Sequence, residues 1–175
     1  MGMHSGPVAA NSPPTNGWDA WLAANVDVFF LYARQQTRTA SDAEDVLQEA
    51  LAESWRRAGG LPPDRALVFT TIRRRAVDLG RSSDRRAARE DRFAGDAPLW
   101  VSPDYSASDT SEQLASAVEQ LPDKLREILT LRVWGGMSFP AIAELVEAPV
   151  TTVTSRYRYA LDRLRESTRI NELRP

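Results

Sequence analysis

The side chains best suited to chemistry in this sequence are arginines, and they are not scattered. Between Arg73 and Arg92 stand eight of them, Arg73, Arg74, Arg75, Arg81, Arg85, Arg86, Arg89 and Arg92, against the four acids Asp78, Asp84, Glu90 and Asp91. A guanidinium is planar, permanently charged and bidentate, which suits phosphate oxygens and base edges. Only Lys124 among the 22 basic residues is a lysine; an arginine-favouring genome explains that bias equally well. A second set, Thr152, Thr154, Ser155, Arg156, Arg158 and Tyr159, puts hydroxyls and cations where one helix face would expose them together. A third, Asp42, Glu44, Asp45, Gln48 and Glu49, gathers polar and acidic groups near a helix start, where the helix dipole favours acids without any partner. Catalytic machinery has no counterpart: the sequence holds no glycine-rich phosphate loop, no nucleophile elbow and no metal-ligand cluster. There is no cysteine, and the single histidine is His4. The expectation is a binding protein with no catalytic residue, no cofactor and no metal.

The net charge of −2 argues against a free nucleic-acid binder, because phosphate neutralisation drives that affinity. Its distribution argues the other way. The basic block is followed by Phe93 to Asp123, with six acids (Asp96, Asp104, Asp109, Glu112, Glu119, Asp123) and no base, and the charge turns positive again between Val150 and Arg165. No apolar run approaches the roughly 18 residues of a membrane span, and the N-terminus lacks the order of a signal peptide, so a cytoplasmic protein is expected.

These groups need elements to hold them. With 175 residues, 42% of them hydrophobic, the chain has material for one ordinary core or two small ones. Residues 1–17, rich in Pro, Ser, Asn and Gly, read as a disordered arm. Trp21, Leu22, Val26, Phe29, Phe30 and Ala33 recur at helical spacing over about 18–37. Ser41 with Glu44 forms a capping-box pattern before Leu47, Leu51 and Trp55. Gly59, Gly60, Pro62 and Pro63 break that helix, and a third carries Leu67, Ile72, Ala76 and Leu79 opposite its arginines. Periodicity then lapses through an acidic linker, 93–109. Beyond it, helices end before Pro122 and at Gly135–Gly136, a short one starts at Ser138, and Val153, Tyr157, Ala160, Leu161 and Leu164 define a long last helix. The reading is all-α, two small helical domains at 18–92 and 110–170 joined by a flexible linker.

A short helix, a tight turn at Glu147 to Pro149 and a longer polar, basic helix make the helix-turn-helix plan, whose second helix fits the major groove. The segment LPDKLREILTLRVWGGMSFPAIAELVEAPVTTVTSRYRYALDRLRE resembles the part of bacterial RNA polymerase sigma factors that reads the promoter −35 element. The resemblance rests on Leu121-Pro122, Arg126-Glu127, Leu131-Arg132, Ile142-Ala143-Glu144, and Pro149-Val150 leading to Thr152, Val153, Ser155 and Arg156. This chain departs from the family at Glu147, usually Gly; at Ala141, commonly Glu; at Thr154, commonly Lys; and at Tyr159, often Arg. A residue other than glycine at positive φ costs on the order of 1 kcal/mol, so the turn is expected to be reshaped.

DAEDVLQEALAESWRRA resembles the sigma region 2 helix that grips the polymerase clamp helices, which implies a docking face of Asp42, Glu44, Asp45, Gln48 and Glu49. LVFTTIRRRAVDLGRSSDRR resembles the part that captures the −10 element as a single strand, implying Arg73, Arg74, Asp78 and Arg81 as contacts, with Gly60 and Leu61 in the loop that pockets a flipped base. Leu67 stands for a usual Trp and Arg74 for a usual Asn, and the short loop lacks an aromatic residue, so its contacts are expected from the backbone. The resemblance spans about 18–166 and, lacking the regions of larger sigma factors, points to the extracytoplasmic-function group. It implies core RNA polymerase (the beta-prime clamp helices and beta flap), promoter DNA and an anti-sigma factor as partners, and no membrane. Two other readings stay open from the residues: a stand-alone helix-turn-helix regulator on palindromic sites, and a sigma-like decoy for an anti-sigma factor.

Overall fold

The structure, a computed structural model, describes residues 17–87 and 109–172. The expected linker, apart from its last residue, most of the expected arm, and Arg89 and Arg92 lie outside the described residues. Among the described residues seven helices run in order: α1 (Trp18–Gln36), α2 (Ala40–Arg57), α3 (Arg65–Ala87), α4 (Asp109–Glu119), α5 (Asp123–Val133), α6 (Phe139–Val146) and α7 (Val150–Glu172). No strand occurs among the described residues.

Helix α2 is capped two residues before the Ser41 of the capping-box pattern. Thr39, in extended conformation, accepts the Asp42 amide proton on its side chain at 3.0 Å. Thr39 fills the same chemical role that Ser41 was expected to fill, and the helix gains about half a turn. Helices α1, α2 and α3 bury Phe29, Tyr32, Ala43, Val46, Ala50, Val68, Phe69 and Ile72 between them. Phe69 receives Phe29 and Tyr32 edge-on, at ring-centroid distances of 4.9 and 5.3 Å. A second small core lies where α4, α5 and α7 meet, around Val118, Leu121, Leu125, Leu129, Ala160 and Leu164.

The two helical groups are packed together. The α1–α3 core runs on without a break into Ile128, Leu131, Met137, Ile142, Leu145 and Val153 of the second group. Polar bonds line this junction: the Tyr32 hydroxyl donates to Glu127 at 2.9 Å, Gln35 to Thr130 at 2.9 Å, and Arg65 to the Trp134 carbonyl at 2.9 Å.

Candidate nucleic-acid interface

Helices α6 and α7 meet at a turn of three residues. Ser138 caps α6 by accepting the Ala141 amide proton, with Pro140 in the first turn, where its missing N–H costs nothing. Glu147 ends α6 in the left-handed region at φ 54°, and the Ala148 amide reaches back to the Ala143 carbonyl at 3.0 Å. This is the Schellman closure, usually made with glycine. The turn therefore keeps its shape with glutamate in place, and the backbone strain is carried by Glu147 instead of being relieved by a different geometry. Pro149 then starts α7, its carbonyl accepting from Val153.

What fixes α7 is its inner edge. Val153, Ala160 and Leu164 are buried, and Tyr157 packs edge-on against Phe139 at 5.4 Å. Arg132 lies over the Phe139 ring, 4.8 Å from its centroid, and donates to the Met137 carbonyl at 2.8 Å. The outer edge presents Ser155, Arg158 and Tyr159 fully, while Thr152, Thr154 and Arg156 are half-buried. Thr154 turns its hydroxyl onto the Val150 carbonyl at 2.8 Å, leaving its lone pairs as outward acceptors. The expected reading set thus divides into an exposed trio and a flanking, partly covered trio.

On α3 the expected DNA-facing residues divide differently. Arg74, Asp78 and Arg81 are exposed, but Arg73 is half-buried and turned toward the second helical group, 3.2 Å from Glu127 and 4.0 Å from Glu147. Arg74 is tied to Glu53 of α2 at 2.5 Å. Arg75 reaches Glu53 at 2.9 Å and Glu49 at 3.0 Å, so its ion pairs cross between helices in place of the same-helix pairing with Asp78 that the spacing allowed. Between the helices, Gly59 and Gly60 take φ of 67° and 81°, and Leu61 is 61% exposed at the tip. The ring of Trp55 lies 3.8 Å from where a Cβ on Gly60 would sit, and Trp18 stands edge-on to Trp55 at 4.4 Å. The loop itself has no aromatic residue, but Gly60 rests on Trp55, which Trp18 backs.

Along α2, Glu44, Asp45, Gln48 and Glu49 are exposed and Asp42 is half-buried; Glu49 shares its carboxylate with Arg75. Neither Glu53 nor Glu127 is among the binding residues expected from the sequence, yet both are hubs of charge. Glu53 is only 9% exposed and holds Arg57, Arg74 and Arg75. Burial raises its pKa, but the hydrogen bonds from Arg74 and Arg75 and the charges of Arg74 and Arg57 outweigh that and hold it below the ordinary glutamate value. The sequence signal was an acid four residues from both Glu49 and Arg57, on the edge of α2 that turns inward. Among the described residues no group of acids or histidine fits a metal ion, and no helix is long and apolar enough to cross a membrane.

A helix-turn-helix whose second helix bares a polar, cationic edge stands beside a three-helix unit with its own arginine face, an arrangement suited to binding nucleic acid. Comparison with known proteins agrees. The family model for sigma-70, region 4, matches residues 111–164. The chain is 33% identical over 132 residues to the ECF RNA polymerase sigma factor RpoE of Cereibacter sphaeroides, covering 73% of this chain and 72% of that protein. It is 33% identical over 141 residues to the RNA polymerase sigma-H factor of Pseudomonas aeruginosa, covering 71% and 73%. Among solved structures, the sigma factor RpoE in complex with the anti-sigma factor NepR, from Bartonella quintana, shares the fold with a TM-score of 0.68 at 21% identity, covering 89% of this chain and 99% of that one. CnrH in complex with the cytosolic domain of CnrY follows at 0.53 and 22% identity, covering 94% of each chain. The chain belongs to the extracytoplasmic-function sigma factors of the sigma-70 family. It functions as an RNA polymerase sigma factor in transcription initiation, and its family is not enzymatic.

Proposed function

We propose that residues 18–92 bind core polymerase and the −10 element, that 110–170 bind the −35 element, and that the acidic stretch 93–109 tethers them. The docking face for the clamp helices is Asp42, Glu44, Asp45, Gln48 and Glu49. The −10 strand meets Gly60, Leu61, Arg73, Arg74, Asp78 and Arg81, and Thr152, Thr154, Ser155, Arg156, Arg158 and Tyr159 face the −35 duplex. The observation that carries this reading is the bare outer edge of α7: Ser155, Arg158 and Tyr159 are exposed while the opposite edge is locked into two cores. A rigid, preoriented face is what base readout in the major groove requires. Joining two weak DNA sites through one chain raises affinity by effective concentration, and the tether decides which spacer lengths are bridged. Melting follows because open DNA is bound better than closed DNA.

With the helical groups packed together, Arg73 is occupied by Glu127, so the full −10 set is presented only when they part. A closed form of this kind suits capture by an anti-sigma factor in the cytoplasm, the kind of partner that the Bartonella quintana relative carries. Abortive transcription with core polymerase, this protein and a library of promoter fragments tests the reading. Promoter-dependent RNA is expected, reduced about five- to 150-fold by Arg158→Ala, since one good base contact is worth about 1–3 kcal/mol, and less by the half-buried Arg156→Ala. Core binding without initiation on any fragment would favour the decoy, and dimeric binding to palindromes without core would favour the stand-alone regulator.

A further inference from the structure

The notch between α2 and α3 is lined by Glu53, Arg56, Arg57, Arg74, Arg75 and Asp78, four cations around one inward-facing carboxylate. Glu53 sits at its floor. It meets Arg57 at 2.9 Å, Arg74 at 2.5 Å and Arg75 at 2.9 Å, and its own side chain is almost fully covered while Arg57 and Arg74 are about half exposed. Three guanidiniums converging on one point repel one another unless an anion sits among them. The floor anion also spends the inward donors of each arginine, so only the outward donors remain for a ligand, in fixed directions.

We propose that Glu53 is a positioning residue that sets the sequence specificity of the DNA-facing surface of α3. It holds the Arg74 guanidinium in one orientation and keeps the notch from acting as an undirected phosphate trap. The argument rests on the reading that Arg74 faces the −10 strand. It explains how an arginine there can be selective, because a tethered guanidinium has lost the rotamer freedom that would let it follow any phosphate. Without the tether, Arg57 and Arg74 become mobile cations while Arg75 stays on Glu49, and the surface gains a unit of positive charge. Specific binding should then weaken while indiscriminate binding strengthens, a pair of opposite changes that simple loss of stability cannot produce.

The test uses the full chain with core polymerase, on a fragment selected from the promoter library and on the same fragment with its −10 element scrambled. For Glu53→Gln, the ratio of cognate to scrambled affinity is expected to fall about tenfold, the size of one charge-assisted contact. The slope of log affinity against log salt on scrambled DNA should steepen by about 1, the value of one additional phosphate contact. Glu53→Asp, which keeps the charge, should recover part of the discrimination, and circular dichroism confirms that each variant is folded at the assay temperature. Equal losses on both fragments, or an unchanged ratio in folded Glu53→Gln, would overturn the proposal. Failure of the unaltered protein to discriminate the two fragments would instead overturn the −10 assignment on which it rests.

Discussion

Glu147 shows how one residue can be tolerated against its own backbone preference. Its φ of 54° lies where a side chain costs on the order of 1 kcal/mol relative to glycine. Its carboxylate, 86% exposed and 4.0 Å from Arg73, returns little, because exposed ion pairs at that separation are worth a few tenths at most. Glu147→Gly is therefore expected to stabilise the protein by up to about 1 kcal/mol, with Glu147→Asn intermediate, as read by thermal denaturation. A loss of stability would mean that the Arg73 contact outweighs the strain. Glu53 makes a prediction of the opposite kind. Its folded pKa is held down, so its contribution is present above the ordinary glutamate value of about 4.3 and is lost as pH falls through the lower folded value. Glu53→Gln should flatten the acid limb of the stability profile below about pH 4 relative to the unaltered chain, and urea midpoints across pH 3 to 6 would read it.

Among the helices, legibility followed the range of the interaction. Elements α5 and α6 matched their expected bounds because their stops are local: Pro122, Gly135–Gly136 and Ser138 act through their own backbone. The start of α2 was displaced because Thr39 and Ser41 are chemically equivalent caps, and periodicity does not choose between them. Thr39→Ala is accordingly expected to cost about 1 kcal/mol and Ser41→Ala much less, since Ser41 lies within the helix. Equal effects from the two would return the cap to Ser41. The candidate site was legible in the same graded way. The outer edge of α7 followed from the spacing of Val153, Tyr157, Ala160 and Leu164, which fixes the opposite edge by geometry. The pairing of Arg74 with Glu53 did not, because it joins helices across 21 residues of sequence and depends on how α2 and α3 cross. Trp55, the last residue of the apolar spacing along α2, is half-buried and its ring lies beside Gly60.

For the molecule as a whole, the decisive feature is that the two helical groups share a core, and one carboxylate marks the join. Glu127 accepts from the Tyr32 hydroxyl at 2.9 Å, from Gln36 at 3.3 Å and from Arg73 at 3.2 Å, so three side chains of α1 and α3 converge on one residue of α5. Composition could not reveal this, since Arg126-Glu127 reads equally well as a surface pair. Tyr32 is fully buried, and burial first, then the charge and hydrogen bond of Glu127, push its phenol well above the ordinary value. Below about pH 10 the phenol is neutral whether folded or unfolded. Above that, only the unfolded chain releases the proton readily, so the junction loses stability as pH rises from about 10 toward the folded value. Glu127→Ala would leave the Tyr32 hydroxyl buried without its acceptor, a cost of about 1–3 kcal/mol concentrated at the junction. Small-angle scattering should then show a larger radius of gyration for Glu127→Ala than for the unaltered chain. Tyr32→Phe, which removes the donor along with its need, should leave the dimensions unchanged and abolish the Tyr32 contribution to the alkaline limb. Unchanged scattering for Glu127→Ala would locate the closure in the apolar contacts of Ile128, Leu131 and Ile142 instead.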